Sequence, residues 1–187
     1  MSDTQSARLD RIRAIALDVD GVLTDGGIGY TNEGVELKQF HVRDGSGLML
    51  WRHLGKRSAI ITGRTSRIVE VRAAEVGIDI VIQGTLEKLP ALREVLARTG
   101  HRPEQVCFIG DDLPDLPLLR SCGLAVAVAD ACPEVAAEAH LITRAAGGRG
   151  AVREVIEFIL RCQGHWQMMV DHFRNQRLND PDQNPKS

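Results

Sequence analysis

The residues with most chemistry to offer are Asp18 and Asp20, in the stretch Ala14-Ile-Ala-Leu-Asp-Val-Asp-Gly-Val-Leu-Thr-Asp-Gly26. An apolar run of strand type reaches two carboxylates where it meets glycine. Successive strand residues point to opposite faces, so Asp18 and Asp20 share a side and Val19 faces away. Open parallel sheets bind ligands beyond the carboxyl ends of their strands, which is where this pair falls. Two carboxylates so placed suit phosphoryl transfer: one attacks phosphorus while the other protonates the leaving oxygen. Beside a phosphate dianion they repel one another, so the chain must also supply a cation site and positive groups. Alone, an Asp-x-Asp is more often a strand end opening a turn. The reading therefore depends on what the rest of the chain provides.

Three further stretches provide it. Ser58-Ala-Ile-Ile-Thr62 is a second apolar strand, and it ends in Thr62-Gly-Arg64, where a hydroxyl and backbone N–H groups suit a phosphate oxygen. Lys88 follows Gln83-Gly84 at a helix start, where its ammonium can neutralise charge on the nucleophile and hold the transferring phosphoryl group. Val106-Cys-Phe-Ile-Gly-Asp-Asp-Leu-Pro-Asp115 runs an apolar strand into three carboxylates. Mg²⁺ takes a few carboxylates together with water and phosphate oxygens, which Asp18, Asp111 and the Asp20 carbonyl can complete. Asp112 and Asp115 then fall to the metal's surroundings, with a helix cap as the alternative for Asp115.

Positioning these groups at one edge requires a parallel sheet. Strands are expected near 14–18, 57–62, 80–83, 106–110, 124–128 and 141–142, and helices near 45–54, 66–76, 88–99, 115–121, 133–139 and 150–163. The alternation predicts an α/β fold, an open parallel sheet with helices on both faces. One segment breaks it: a β-hairpin about 29–42, with strands at Tyr30–Thr31 and Val35–Val42 around the turn-forming Asn32-Glu-Gly34. Isolated ribbons are marginal in water, so this one is expected to pair with another surface, most economically another subunit. The expected organisation is a polar N-terminal segment 1–13, one domain over 14–163, and a C-terminal tail 164–187 that is partly disordered. Trp166, Met168, Met169 and Phe173 give the first part of that tail a means of docking, whereas 179–187 is too polar to fold alone.

The totals restrict the function class. A net charge of −2 gives no reason to expect nucleic acid or an anionic membrane as partner. The first thirteen residues lack the apolar core of a signal peptide and no later run could span a bilayer, so a cytoplasmic protein is expected. The four cysteines, Cys107, Cys122, Cys132 and Cys162, lack C-x-x-C spacing and read as free thiols in apolar surroundings. The histidines form no H-x-x-x-H pair, so any metal belongs to the carboxylates.

In order, Asp-x-Asp, Thr62, Lys88 and Gly110-Asp-Asp112 with Asp115 resemble the haloacid dehalogenase superfamily, whose fold is Rossmann-like. Asp20 fits a phosphatase or mutase, since related ATPases carry Thr there. The gaps between motifs are too short for a cap domain, so the resemblance is to its capless members. More finely, Phe40-His-Val-Arg-Asp-Gly45, Ile61-Thr-Gly-Arg64, Val128-Ala-Asp-Ala131 and Gly147-Gly-Arg-Gly-Ala-Val-Arg-Glu154 resemble members acting on an eight-carbon sugar-acid phosphate of lipopolysaccharide synthesis. That resemblance implies a small-molecule sugar-acid phosphate substrate, Mg²⁺ and a homotetramer with ribbons and tails at its interfaces. It also implies that Asp20, His41, Val42, Arg43, Asp44, Gly45, Arg64, Arg72 and Lys88 face the substrate. Arginine suits the acid's carboxylate as well as its phosphate, and Arg64 and Arg72 would point the same way on one helix. A nine-carbon sialic-type acid 9-phosphate is the alternative substrate, and a non-catalytic assembly scaffold the alternative class.

Overall fold

The computed structural model describes residues 3–175. Its centre is β1 (Ala14–Leu17), buried at every position because both of its faces are covered. A ribbon follows, β2 (Gly29–Tyr30) with β3 (Glu36–Leu37), then α2 (Val42–His53), the chain having opened on α1 (Asp3–Asp10). The sheet continues through β4 (Arg57–Ile61), α3 (Arg67–Val76), β5 (Ile80–Ile82), α4 (Lys88–Thr99) and β6 (Val106–Gly110). It ends with α5 (Leu116–Ser121), β7 (Leu124–Ala127), α6 (Pro133–Glu138), β8 (Leu141–Ile142), α7 (Ala151–Cys162) and α8 (Trp166–Arg174). Among the described residues the main sheet is parallel throughout, in the order β5-β4-β1-β6-β7-β8.

Strand alternation divides the core in two. Ile15 and Leu17 face Leu9, Trp51, Val152 and Ile156 under α1, α2 and α7, while Ala14 and Ala16 face Leu92, Phe108, Leu118 and Val135 under α4, α5 and α6. Leu17 pairs with Ile60 on one side and Ile109 on the other. Continuing that register puts Thr62 and Asp111 one residue beyond Asp18, to its left and right. The edge that carries the motifs is thus the middle of the sheet, where strands are paired on both sides.

The expected open sheet, hairpin and absence of a cap are observed: only the ribbon and α2 lie between β1 and β4. Several boundaries differ. The polar segment before β1 forms α1, which is anchored by Leu9 and, just after it, Ile12, both buried. The second ribbon strand is two residues long, not eight, because the chain must turn for His41 to start α2 at Val42, three residues before the expected Gly45. After Gln163 the chain forms α8, docked by Met169 and Trp166. The expectation for 179–187 lies outside the described residues.

Candidate active site

Asp18 directly follows β1, its N–H bonded to the Ile109 carbonyl. Lys88, the first residue of α4, is buried and reaches Asp18 Oδ2 at 3.2 Å and Asp115 Oδ1 at 2.6 Å. Asp115 also accepts from the Asp111 N–H at 3.0 Å through its other oxygen, so one carboxylate orients both a cation and the neighbouring acid. Asp18, Asp111 and Asp115 each offer an oxygen within 4.8 Å of the others. Gly21, with φ of +95°, permits this crowding, because a Cβ there would overlap the Asp111 carboxylate.

The electrostatics of this cluster are those of a cation site. Burial raises Asp18 to about 6, with Lys88 opposing the rise and Asp115 adding to it. Burial, then the charges of Asp18 and Asp115, raises Asp111 to about 7. Lys88 is pulled down by burial but ends above its ordinary value, because Asp18 and Asp115 together outweigh desolvation. One ammonium does not balance three carboxylates, and Asp18 Oδ1 and Asp111 Oδ1 are buried without a hydrogen-bond partner among the described residues. A divalent cation fits those two oxygens.

Thr62 is buried at the end of β4, held by backbone bonds to Ile82 and Thr85. Asp20 lies towards the ribbon, where Lys38 pairs with its Oδ1 and Arg64 Nε stands 3.7 Å from its Oδ2. Arg64 also donates to the Tyr30 hydroxyl (3.1 Å) and to Glu36 (3.3 Å), tying the strand-to-helix turn to the ribbon. The structure thus brings Asp18, Asp20, Thr62, Lys88, Asp111, Asp115 and Arg64 to one cleft.

Other expected site residues are placed elsewhere. Arg64 precedes α3, so it does not share a helix face with Arg72, whose partners are Glu75 and the Phe40 ring. Asp44 is buried, and its Oδ1 accepts from the Arg153 N–H at 2.8 Å, capping α7; burial raises its pKa against that bond. Gly45 is the floor on which the Arg72 guanidinium rests, since a Cβ there would overlap it. His41 immediately precedes α2 without a side-chain capping bond, its buried Nδ1 having no hydrogen-bond partner among the described residues, while Val42 and Arg43 are exposed. Asp112 is exposed and caps the turn at Leu113.

Two features escaped the sequence reading. Glu36 and Lys38 both turn into the cleft, and the signal was present: residues two apart on a strand share a face. The other is the Gly147-Gly148 loop before α7, which supports the loop after β1. The Gly148 N–H bonds the Val22 carbonyl at 2.9 Å, the Gly147 N–H bonds Asp130, and Arg149 pairs with Asp25 at 3.0 Å. A Cβ at Gly147 would overlap the Gly21 carbonyl oxygen. A groove of about 700 Å³ between α2, α7 and α8 is lined by Met49, Trp166, Met169 and Phe173 and holds none of these carboxylates.

The family model for haloacid dehalogenase-like hydrolases matches residues 56–156. The 3-deoxy-D-manno-octulosonate 8-phosphate phosphatase KdsC of Escherichia coli (strain K12) is 48% identical over 158 residues, 84% of each chain. The crystal structure of the Yersinia pestis 3-deoxy-D-manno-octulosonate 8-phosphate phosphatase superposes with a TM-score of 0.87 at 47% identity, covering 89% of this chain and 90% of that one. The Moraxella catarrhalis phosphatase of the same name, solved with magnesium, phosphate and KDO, gives 0.89 at 41% identity over 92% and 99%.

Proposed function

The chain belongs to the haloacid dehalogenase-like hydrolases, and on that premise we propose that it is a Mg²⁺-dependent phosphatase of 3-deoxy-D-manno-octulosonate 8-phosphate. The observation that carries the chemistry is a pair of buried oxygens with no hydrogen-bond partner among the described residues, Asp18 Oδ1 and Asp111 Oδ1, beside a fixed Lys88. Substrate identity rests on the likeness to the curated phosphatases.

In the proposed reaction an Asp18 oxygen attacks phosphorus in line, forming an aspartyl phosphate as the P–O bond to the sugar breaks. Asp20 delivers its proton to the leaving alkoxide, then takes one from the water that attacks the phosphoenzyme. Inorganic phosphate leaves and Asp18 is regenerated. Thr62 and Lys88 hold the phosphoryl oxygens, and Asp115 holds Lys88 and the Asp111 backbone in place. Asp18, Asp111 and the Asp20 carbonyl would hold Mg²⁺, which when bound neutralises charge on the carboxylates and the transferring group. Arg64, at the mouth of the cleft, is assigned to the sugar acid's carboxylate. His41 to Gly45 and Arg72 are assigned, as their motif implies, to the substrate; within the chain Asp44 also caps α7 and Arg72 rests against Gly45.

The same proposal includes a homotetramer assembled through the ribbons. Its support is the exposure of the ribbon's apolar side chains: Ile28, Tyr30, Val35 and Leu37 are between 48% and 58% exposed. Light scattering should return four times the 20.5 kDa chain mass; a monomer would refute this part. A cytoplasmic role in lipopolysaccharide precursor synthesis completes the reading, and among the described residues no helix is long and apolar enough to cross a membrane.

Phosphate release should be assayed from the eight-carbon 8-phosphate and a nine-carbon sugar-acid 9-phosphate, with and without Mg²⁺. Metal-dependent preference for the first supports the proposal. Preference for the second keeps the chemistry and overturns the substrate, while release from neither overturns both.

A further inference from the structure

We propose that Lys38, carried by the ribbon, is a positioning residue for Asp20, fixing its Oδ1 so that Oδ2 alone exchanges the proton with the leaving group and with water. This rests on the assignment of Asp20 as the acid and base. The Lys38 side chain has no exposure at all, although its backbone is partly open. An ammonium withdrawn from water costs several kcal/mol unless it is paired. The ribbon accepts that cost while leaving its own apolar residues half exposed, the reverse of the usual partition. A ribbon whose task was only to cover the cleft would turn Leu37 inward and Lys38 out.

What the inverted arrangement achieves is visible at Asp20. Its Oδ1 is paired with Lys38 and stands 3.5 Å from the Thr24 hydroxyl. Its Oδ2 is buried, with Arg64 Nε 3.7 Å away, and has no hydrogen-bond partner among the described residues. The two oxygens are therefore not interchangeable. A carboxylate that gives up a proton in one step and takes one in the next must keep one orientation through both, and a cation on the oxygen that does not react provides this.

Glu36 extends the arrangement. It lies 3.6 Å from Lys38, and it accepts from Arg64 and from the Ser66 hydroxyl, so it restrains the cations on both sides of Asp20. Alternating charges at these distances support one another more than isolated pairs do. The ribbon thus contributes to proton transfer as well as to enclosure.

Leaving-group dependence tests this. An alkyl phosphate such as the sugar substrate needs protonation of its leaving oxygen, whereas 4-nitrophenyl phosphate does not. In purified full-length protein with Mg²⁺, Lys38→Met should lower kcat for the sugar phosphate by about 100-fold and for the aryl phosphate by no more than about threefold. Lys38→Arg, which keeps a donor and a charge, should recover most of the loss. Asp20→Asn is the control and should show the same asymmetry, more strongly. Equal losses on both substrates for Lys38→Met, or none on either, would overturn the role of Lys38 provided that Asp20→Asn is asymmetric. A symmetric Asp20→Asn would instead overturn the assignment of Asp20. Should Lys38→Met not fold, Lys38→Gln carries the same comparison, because its amide can occupy the site without the charge.

Discussion

At the carboxyl edge of the sheet Asp18 is held by a strand paired on both sides, whereas in the ribbon Lys38 is held by a strand only two residues long. Both regions bury charge, but they are stabilised differently. The cluster of Asp18, Lys88, Asp111 and Asp115 stands on two cores whose apolar burial forms it with or without substrate. The ribbon has almost no core of its own and is fastened to the cleft by polar contacts: Lys38 to Asp20, Glu36 to Arg64 and Ser66, and Tyr30 to Arg64. The groups assigned to cleavage of the phosphate bond are fixed by the fold. Those assigned to orienting the acid and meeting the sugar are fixed by polar contacts of an element that lies outside both cores.

Substitutions can sharpen or break that contrast. Asp18→Asn should show the largest effect, a loss of hydrolysis of at least about 10⁴-fold with cooperative thermal unfolding retained. Turnover surviving in a phosphate-release assay would refute the nucleophile. Lys88→Met should lose both function and stability, because it leaves Asp18 and Asp115 buried against each other without their cation. A cost of about 3–5 kcal/mol is expected, read by urea unfolding, and an unchanged midpoint would place the cluster outside the core's support. Leu37→Glu or Val35→Glu on the outer ribbon face should act oppositely, lowering the oligomeric mass and raising KM with a shift in unfolding midpoint within about 0.5 kcal/mol. A loss of monomer stability comparable to that of Lys88→Met would erase the distinction between the regions.

The smallest expected effect is on the pH dependence of the metal-free protein. Folding raises Asp111 to about 7 and Asp18 to about 6, both above the ordinary carboxylate range. The folded state therefore holds protons that the unfolded chain has released. Stability should rise as pH falls from 8 through 7 and 6, and level off once the unfolded carboxylates protonate near pH 4. Thermal unfolding between pH 8 and 5 should show this slope, and Asp111→Asn should flatten it. Stability falling over that interval would contradict the crowding argument.

The same contrast explains how much could be read from sequence. Each main-sheet strand lies within one residue of its expected bounds, because apolar runs ending in glycine or a carboxylate are set by local composition and by burial on both faces. Thr62 and Asp111 were legible for the same reason, since strand ends put them in one place, and Lys88 because it opens the helix that follows β5. Lys38 and Glu36 were not: their spacing puts them on one face, but what that face meets, Asp20 and Arg64, is set by contacts made across the fold. Asp44 was read as a site residue from its motif, and the bond by which its Oδ1 also caps α7 was not legible, because it joins residues 109 positions apart. The polar composition of α1 concealed a helix that needs only Leu9, with Ile12 just beyond it, to dock.

The contact of Gly147 and Gly148 with the loop after β1 has a consequence for the order in which the chain is made. Arg149 and Asp25 are 124 residues apart in sequence, so the ribosome releases the nucleophile early and its support late. A nascent chain ending before Gly147 contains Asp18, Lys88 and Asp111 but lacks the bond to Val22 and the α7 surface on which Leu9 and Trp51 pack. The loop that follows Asp18 therefore gains its support only after the segment carrying Gly147 to Arg149 and α7 has been made.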